Sequence, residues 1–135
     1  MIKTNSYFSG AGLFDTGLSI GGLSITHSFE LDSMACKVQE HNLGGHVKQV
    51  DISQRLAASD HDDADVMIGT YPCTKYSTIA DIHGTRVGED LYLHFFRHIA
   101  LKLPELFVIE NVPGMRRFSV VCEAFTAIPN YYVSV

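Results

Sequence analysis

The chain has 135 residues, of which 46% are hydrophobic and 19% are charged, as expected for one globular domain with its own core. Its formal net charge is -5, from 10 basic and 15 acidic side chains, which excludes a strongly basic protein that supplies all its own contacts to nucleic-acid phosphates. The N-terminus lacks the apolar run of a signal peptide, and no apolar stretch approaches the roughly 20 residues of a membrane span, so we expect a cytoplasmic protein.

Strand and helix signals alternate from the N-terminus. Lys3–Phe8 is predicted to be a strand, and Phe14–Ile20 a short helix that follows a glycine-rich turn. Ser24–Leu31 is predicted to be the second strand. Ser33 is predicted to be the N-cap of a helix that runs to His41.

The middle of the chain continues the alternation and then loses its periodicity. Val47–Val50 is predicted to be a short third strand, and Ser53–Ala58 a short helix. The apolar run Val66–Gly69 is predicted to be a buried fourth strand. Thr70–Glu89 is long and non-periodic, and loops of that length within a compact domain are usually functional.

The last third of the chain repeats the pattern. Leu91–Leu103 has helical periodicity and is stopped by Pro104, and a strand is predicted at Leu106–Ile109. A helix near Met115–Ala127 and a strand at Tyr131–Val135 follow. This alternation predicts an α/β, Rossmann-like fold with a mostly parallel sheet and flanking helices. Because the chain ends within a predicted strand, we expect the fold to be incomplete at its C-terminus.

The metal-binding residue types do not form a recognisable site. The three cysteines are an odd number without Cys-x-x-Cys spacing, which argues against a disulfide framework and a cysteine zinc site. His94 and His98 are four residues apart on a predicted helix, but no glutamate follows His94, so the metalloprotease pattern is absent. We therefore predict no metal site.

A glycine-rich turn between the first strand and the first helix has the arrangement used to bind nucleotides. Gly10 and Gly12 allow a ligand to approach the backbone, and Glu30 closes the next strand about 20 residues later, where a carboxylate can bind ribose hydroxyls. Taken alone, this pattern fits NAD almost as well as other nucleotides. However, Asp15 occupies the position of the third glycine in the dinucleotide fingerprint.

A thiol and a carboxylate follow two other apolar strands. Cys73 comes directly after Pro72 in the loop beyond the fourth strand, and Glu110 follows the strand Leu106–Ile109. A thiolate is a strong protein nucleophile near neutral pH, and a carboxylic acid can stabilise charge that develops on a ring under attack. A buried structural cysteine and an ordinary strand end are the alternatives. The pairing of both groups with an upstream cofactor loop favours catalysis.

Taken in order, the segments Phe8-Ser-Gly-Ala-Gly12, Pro72-Cys73 and Glu110-Asn111-Val112 resemble the motifs of the cytosine-C5 DNA methyltransferase family. The resemblance extends over essentially the whole chain, from Phe8 to about Val135. It implies the Rossmann-like fold of S-adenosylmethionine-dependent methyltransferases. It also implies S-adenosylmethionine as the cofactor and DNA containing a target cytosine as the substrate.

The resemblance implies a covalent mechanism. Cys73 would attack C6 of a cytosine flipped out of the duplex, while Glu110 hydrogen-bonds to the ring N3. The activated C5 would accept the methyl group, and loss of the C5 proton with release of Cys73 would give 5-methylcytosine. The other implied substrate-facing or structural residues are Ser77, Arg86, Asn111 and Val112.

The resemblance also implies the cofactor contacts. Glu30 would bind the ribose, Asp51 the adenine amino group, and Phe8 would pack near the adenine. The full implied set is Phe8, Gly10, Gly12, Glu30, Leu31, Asp51, Ile52, Pro72 and Leu91.

Members of the family continue with a Gln-x-Arg-x-Arg segment and a target-recognition region, and no Gln-x-Arg occurs in this sequence. We therefore expect residues 1–135 to be the N-terminal catalytic and cofactor-binding part of such an enzyme. A second chain could supply the recognition region. The alternatives are an inactive cofactor-binding fragment and, disfavoured by Asp15, an NAD-dependent Rossmann oxidoreductase.

Overall fold

The computed structural model describes residues 1–54, 63–73 and 91–135. These ranges contain five strands and four α-helices. The strands are β1 Lys3–Tyr7, β2 Ser24–Glu30, β3 Val47–Gln49, β4 Val66–Gly69 and β5 Leu106–Ile109. The helices are α1 Leu13–Ile20, α2 Ser33–Leu43, α3 Leu91–Lys102, the 3-10 helix Pro113–Arg117 and α4 Ser119–Thr126.

All five strands belong to one parallel sheet with the order β3-β2-β1-β4-β5, which confirms the predicted α/β architecture. The carboxyl ends of parallel strands meet at one edge of the sheet. The chain order reverses between β1 and β4, and ligands of doubly wound sheets bind outside the carboxyl ends at such a reversal. Right-handed crossovers place α1 and α2 on one face of the sheet and α3 on the other.

The main core lies between the sheet and α3. Tyr7, Phe29 and Phe95 are fully buried, and the ring of Phe125 from α4 lies against those of Phe95 and Phe107. A Cβ at Gly69 would come within 2.6 Å of the Phe95 ring, so the glycine at the end of β4 allows α3 to approach the sheet closely.

Two predicted helix boundaries are wrong. Asp32, and not Ser33, is the N-cap of α2, because its carboxylate accepts a hydrogen bond of 2.7 Å from the backbone amide of Ala35. The helix predicted near Met115–Ala127 is interrupted at Phe118, whose backbone is non-helical and whose side chain is packed against the core. Packing of the Phe118 ring against the core is therefore favoured over a continuous helix through this residue.

The strand predicted at Tyr131–Val135 is wrong, since these residues make no ladder with β5 or with any other described strand. Tyr131 instead stacks edge-on against Phe107 at 5.0 Å and donates a hydrogen bond to the carbonyl of Pro104. Tyr132 is 98% exposed.

Residues 55–58 of the helix predicted at Ser53–Ala58 and most of the predicted loop Thr70–Glu89 lie outside the described residues, and Ser53 and Gln54 are in a turn. Among the residues that are described, no helix has the length and hydropathy needed to cross a membrane.

Candidate functional site

A cavity of about 740 Å³ opens at the carboxyl edge of β1, β2 and β3. Its size is within the range of small-molecule and cofactor sites. Eight of the nine predicted cofactor-binding residues line it, and only Gly12 does not. The eight are Phe8, Gly10, Glu30, Leu31, Asp51, Ile52, Pro72 and Leu91. The structure thus brings together residues from five separate segments of the sequence.

The turn between β1 and α1 has a backbone conformation that only some residues tolerate. Phe8, Gly10 and Gly12 have φ angles of 60°, 56° and 82°, in the left-handed region. At Gly12 space is also limiting, because a Cβ there would lie 2.6 Å from Cγ of Gln39. Gly12 therefore lies on the side of the turn that packs against Gln39, whereas Phe8 and Gly10 line the cavity.

The carboxylate of Glu30 is held by backbone amides at the edge of the cavity. Its Oε2 accepts a hydrogen bond of 2.7 Å from Gly10, and its Oε1 accepts bonds of 2.7 and 2.8 Å from Leu31 and Asp32. A carboxylate has about four acceptor positions, so Oε2 can take one more donor. A ligand hydroxyl is suited to that position.

A buried polar network supports the turn from below. Asp15 is fully buried and accepts hydrogen bonds of 2.6 to 2.7 Å from Ser6, Ser28 and Gln39. The side-chain oxygen of Gln39 in turn accepts a bond of 2.7 Å from Ser9 within the turn. In the sequence, Asp15 was noted only because it replaces the third glycine of the dinucleotide fingerprint. Its structural role could have been recognised from an acidic residue on the inner side of a short helix, next to serines on two strands.

The loop after β3 carries Asp51 and Ile52 into the cavity wall. The side chain and backbone amide of Ser53 hydrogen-bond to Asp51, and these bonds lower the pKa of the Asp51 carboxyl. Arg97 of α3 donates hydrogen bonds of 2.9 Å to the carbonyls of Ile52 and Gln54. Sequence reasoning did not identify Arg97, because nothing in the helical pattern of α3 marks contacts to a loop 43 to 45 residues away.

Cys73 and Glu110 lie at the ends of the neighbouring strands β4 and β5. The backbone amide of Glu110 donates to the carbonyl of Gly69 at 3.1 Å, and Asn111 donates to the carbonyl of Tyr71 at 2.9 Å. These bonds join the two segments that carry the thiol and the carboxylate. Cys73 is half-buried and unoxidised, and Glu110 is exposed.

The remaining predicted residues are placed differently. Asn111 also accepts a hydrogen bond of 2.9 Å from the amide of Val112, and both line a second cavity of about 520 Å³ beside β5. Ser77 and Arg86 lie outside the described residues. Within the described ranges, no cluster of three His, Cys, Asp or Glu side chains could hold a metal ion.

The larger cavity is negatively charged. Glu30, Asp32 and Asp51 line it, and its described lining includes no lysine or arginine. The cavity therefore favours a ligand that is cationic or rich in hydrogen-bond donors over one that carries several phosphates.

Comparison with known proteins agrees with this geometry. The family described as C-5 cytosine-specific DNA methylase matches residues 2–130. The chain is 33% identical over 117 residues to the type II methyltransferase M.NgoFVII of Neisseria gonorrhoeae, which covers 84% of this chain and 31% of that protein. It is 32% identical over 130 residues to the type II methyltransferase M.AquIA of a Picosynechococcus species, covering 87% and 51% of the two chains.

Among solved structures, a candidate DNA modification methyltransferase encoded within an E. coli prophage superimposes with a TM-score of 0.73 and 26% identity. The match covers 95% of this chain and 38% of that one. The chain thus spans about half or less of the length of the proteins that it matches.

Proposed function

The chain belongs to the C-5 cytosine-specific DNA methylase family, and on that premise we propose that it is the cofactor-binding and catalytic part of an enzyme that methylates C5 of cytosine in DNA. The family is one of enzymes, and S-adenosylmethionine is its cofactor, as the sequence analysis predicted. One observation carries the proposal. Eight predicted cofactor residues surround one cavity, and the Pro72-Cys73 segment continues from its rim.

The lining of the cavity fits S-adenosylmethionine. Glu30 has an acceptor position free for a ribose hydroxyl, and Asp51 would accept from the adenine amino group. Phe8, Ile52 and Leu91 supply apolar surface for the adenine ring. The three carboxylates around the cavity suit a ligand with a sulfonium and an ammonium group. When bound, the cofactor supplies an electrophilic methyl group.

The same lining disfavours the NAD alternative. A pyrophosphate would place two negative charges among Glu30, Asp32 and Asp51, with no described basic side chain in the lining to offset them. Asp15 also occupies the third glycine position and is committed to a buried network.

The proposed chemistry assigns one role to each reacting side chain. The Cys73 thiolate adds to C6 of cytosine, and the ring electrons move toward N3, where Glu110 donates a hydrogen bond or proton. The resulting enamine makes C5 nucleophilic, so C5 takes up the methyl group and S-adenosylhomocysteine would remain as the other product. A base from solvent then removes the C5 proton, and the electrons of that C–H bond re-form the C5–C6 double bond and expel Cys73 as the thiolate. A proton that N3 received returns to Glu110, which leaves 5-methylcytosine.

The target cytosine must leave the base stack to reach Cys73, so we propose that the enzyme flips it out of the duplex. Ser77 and Arg86 would face the DNA in this step. The net charge of -5 leaves much of the phosphate binding and all sequence recognition to further residues of the same protein or to a second chain. Such an enzyme would act in the cytoplasm.

Covalent trapping tests the proposed chemistry. In DNA that carries 5-fluorocytosine at the target position, C5 has no proton to lose, so the adduct with Cys73 should persist. We expect the whole enzyme, including its recognition region, to form a denaturation-resistant complex with this DNA. Cys73→Ala should abolish it, whereas Cys122→Ala, in α4, should not. Trapping that survives Cys73→Ala would remove Cys73 from the mechanism.

A further inference from the structure

The loop that forms the Asp51 wall of the larger cavity has little support from the sheet. It follows β3, which is only three residues long and lies at the edge of the sheet. The amide of Val50 donates to the carbonyl of Glu30 at 2.8 Å, and the amide of Gln54 closes a turn onto Asp51 at 3.1 Å. Beyond Val50, no ladder bond joins the described part of this loop to β2.

Arg97 supplies a connection that the sheet does not. Its Nη2 donates to the carbonyls of both Ile52 and Gln54, each at 2.9 Å, so one guanidinium nitrogen spans the loop on either side of Ser53. Its Nη1 lies 3.4 Å from Nδ1 of His94, one turn earlier on α3. The contact therefore fixes the loop to a helix whose inner face is anchored in the core by Phe95 and Ile99.

The chemistry of this contact is specific for arginine. Two carbonyl acceptors on one nitrogen use both of its hydrogens, which a planar guanidinium directs in fixed directions. The Nε of Arg97 is buried without a hydrogen-bond partner, and no carboxylate forms an ion pair with Arg97 in the described part of the chain. Arg97 as a whole is half-buried, and its two loop contacts satisfy donors that folding takes away from water.

We propose that Arg97 is a positioning residue that holds Asp51 and Ile52 where they select adenine in the bound cofactor. This assignment rests on the proposed function. Ile52 is 4% exposed and lines the cavity, and Asp51 is its neighbour, so movement of the Ile52 carbonyl displaces both groups. Arg97 itself does not line the cavity. Arg97 therefore acts through the loop, and what it affects is which purine base the cavity prefers.

The test compares two ligands that differ at the Watson–Crick edge of the purine, where adenine has an amino group and an acceptor N1 and hypoxanthine has a carbonyl and a protonated N1. S-adenosylhomocysteine and S-inosylhomocysteine are titrated by calorimetry into the wild-type chain, Arg97→Met and the control Lys102→Met. Lys102 is a cation on the same helix whose ammonium pairs with Asp63 at 3.0 Å, and it does not line the cavity. Thermal melting of each variant confirms that it is folded at the temperature of the titration.

We expect the wild-type chain and Lys102→Met to prefer the adenine ligand. Arg97→Met should reduce that preference by about tenfold, the effect of misplacing one hydrogen bond to the base. A purely structural role would weaken both ligands equally and leave their ratio of Kd unchanged, which would overturn the assignment. If Arg97→Met does not fold, Arg97→Lys decides on the same ratio: a fall of about threefold or more supports it, and an unchanged ratio overturns it.

The two proposals fail in different ways. If the wild-type chain binds neither ligand, the proposed cofactor function is wrong, and the role of Arg97 falls with it. If the wild-type chain prefers the adenine ligand and Arg97→Met keeps the same preference, only the role of Arg97 is wrong.

Discussion

At Gly12 the backbone angle and the surrounding space both exclude a side chain. Its φ is 82°, and a Cβ would lie 2.6 Å from Gln39. We expect Gly12→Ala to lower the free energy of unfolding by about 2–4 kcal/mol, from left-handed strain plus overpacking. Urea denaturation measures this loss.

Gly10→Ala is the matched control for Gly12. Gly10 has a φ of 56°, but no atom lies within 4 Å of the position that an alanine methyl would occupy there. This variant should show the conformational cost alone, about 1–2 kcal/mol. Equal losses in the two variants would contradict the packing role assigned to Gln39.

His98 makes stability dependent on pH. It is fully buried, its Nδ1 lies 2.8 Å from the carbonyl of His94, and its Nε2 has no hydrogen-bond partner among the described residues. Burial, and to a lesser extent the nearby charges of Arg97, His94 and Lys102, lower the pKa of His98 from its ordinary value of 6.5. The folded protein therefore binds a proton at His98 less readily than the unfolded chain does.

This difference makes the folded protein less stable as the pH falls below 6.5. Above pH 6.5 both states hold a neutral His98, and its contribution to stability is complete. As the pH falls below 6.5 toward the folded pKa, the unfolded chain takes up the proton first and stability decreases. Urea midpoints measured between pH 7.5 and about 5 should show this slope. His98→Phe should flatten it, and an unaltered slope in that variant would assign the effect to other groups.

Among the secondary-structure elements, α2 provides a direct comparison of two possible caps. The carboxylate of Asp32 accepts from the amide of Ala35, whereas Ser33 is the first helical residue. Asp32→Ala should destabilise the protein by about 1 kcal/mol, and Ser33→Ala by much less. Thermal or urea unfolding without ligand distinguishes them. The reverse order would restore the sequence-based prediction.

The five strands of the sheet were predictable because strand and helix signals alternate along the chain, with turn residues between them. Val66–Gly69 and Leu106–Ile109 were predicted to the residue, and the other three to within one residue at an end. The errors came from tertiary contacts that local pattern does not report. Phe118 interrupts a helix to pack against the core, and Tyr131 is held by Phe107 and Pro104 rather than by a strand partner.

The candidate site likewise contains residues that could be predicted from the sequence and residues that could not. The cavity residues were implied by the family resemblance, and most of them follow strand ends, which a parallel sheet brings to one edge. Asp15 and Arg97 were not, because their roles consist of contacts with residues distant in sequence. The loop contacts of Arg97 are to backbone carbonyls, which leave no mark in the sequence of the acceptor.

At the scale of the whole molecule, the parallel sheet collects a glycine turn, a set of carboxylates and a thiol at one edge. The acidic cavity is suited to a cationic nucleoside cofactor, but a net charge of -5 is not suited to a polyanion. On the proposed function, these residues are therefore suited to the cofactor, and most of the DNA contacts would come from further residues of the same protein or from a second chain.

Cofactor binding by this chain is the most direct test of the account. We would titrate the chain with S-adenosylmethionine by calorimetry, with NAD as the competing ligand and Glu30→Ala as the control for the site. We expect S-adenosylmethionine to bind and NAD not to bind. Glu30→Ala should abolish or greatly weaken binding, because the carboxylate held by the amides of Gly10, Leu31 and Asp32 is lost. Binding of NAD instead, or of neither ligand, would contradict the account.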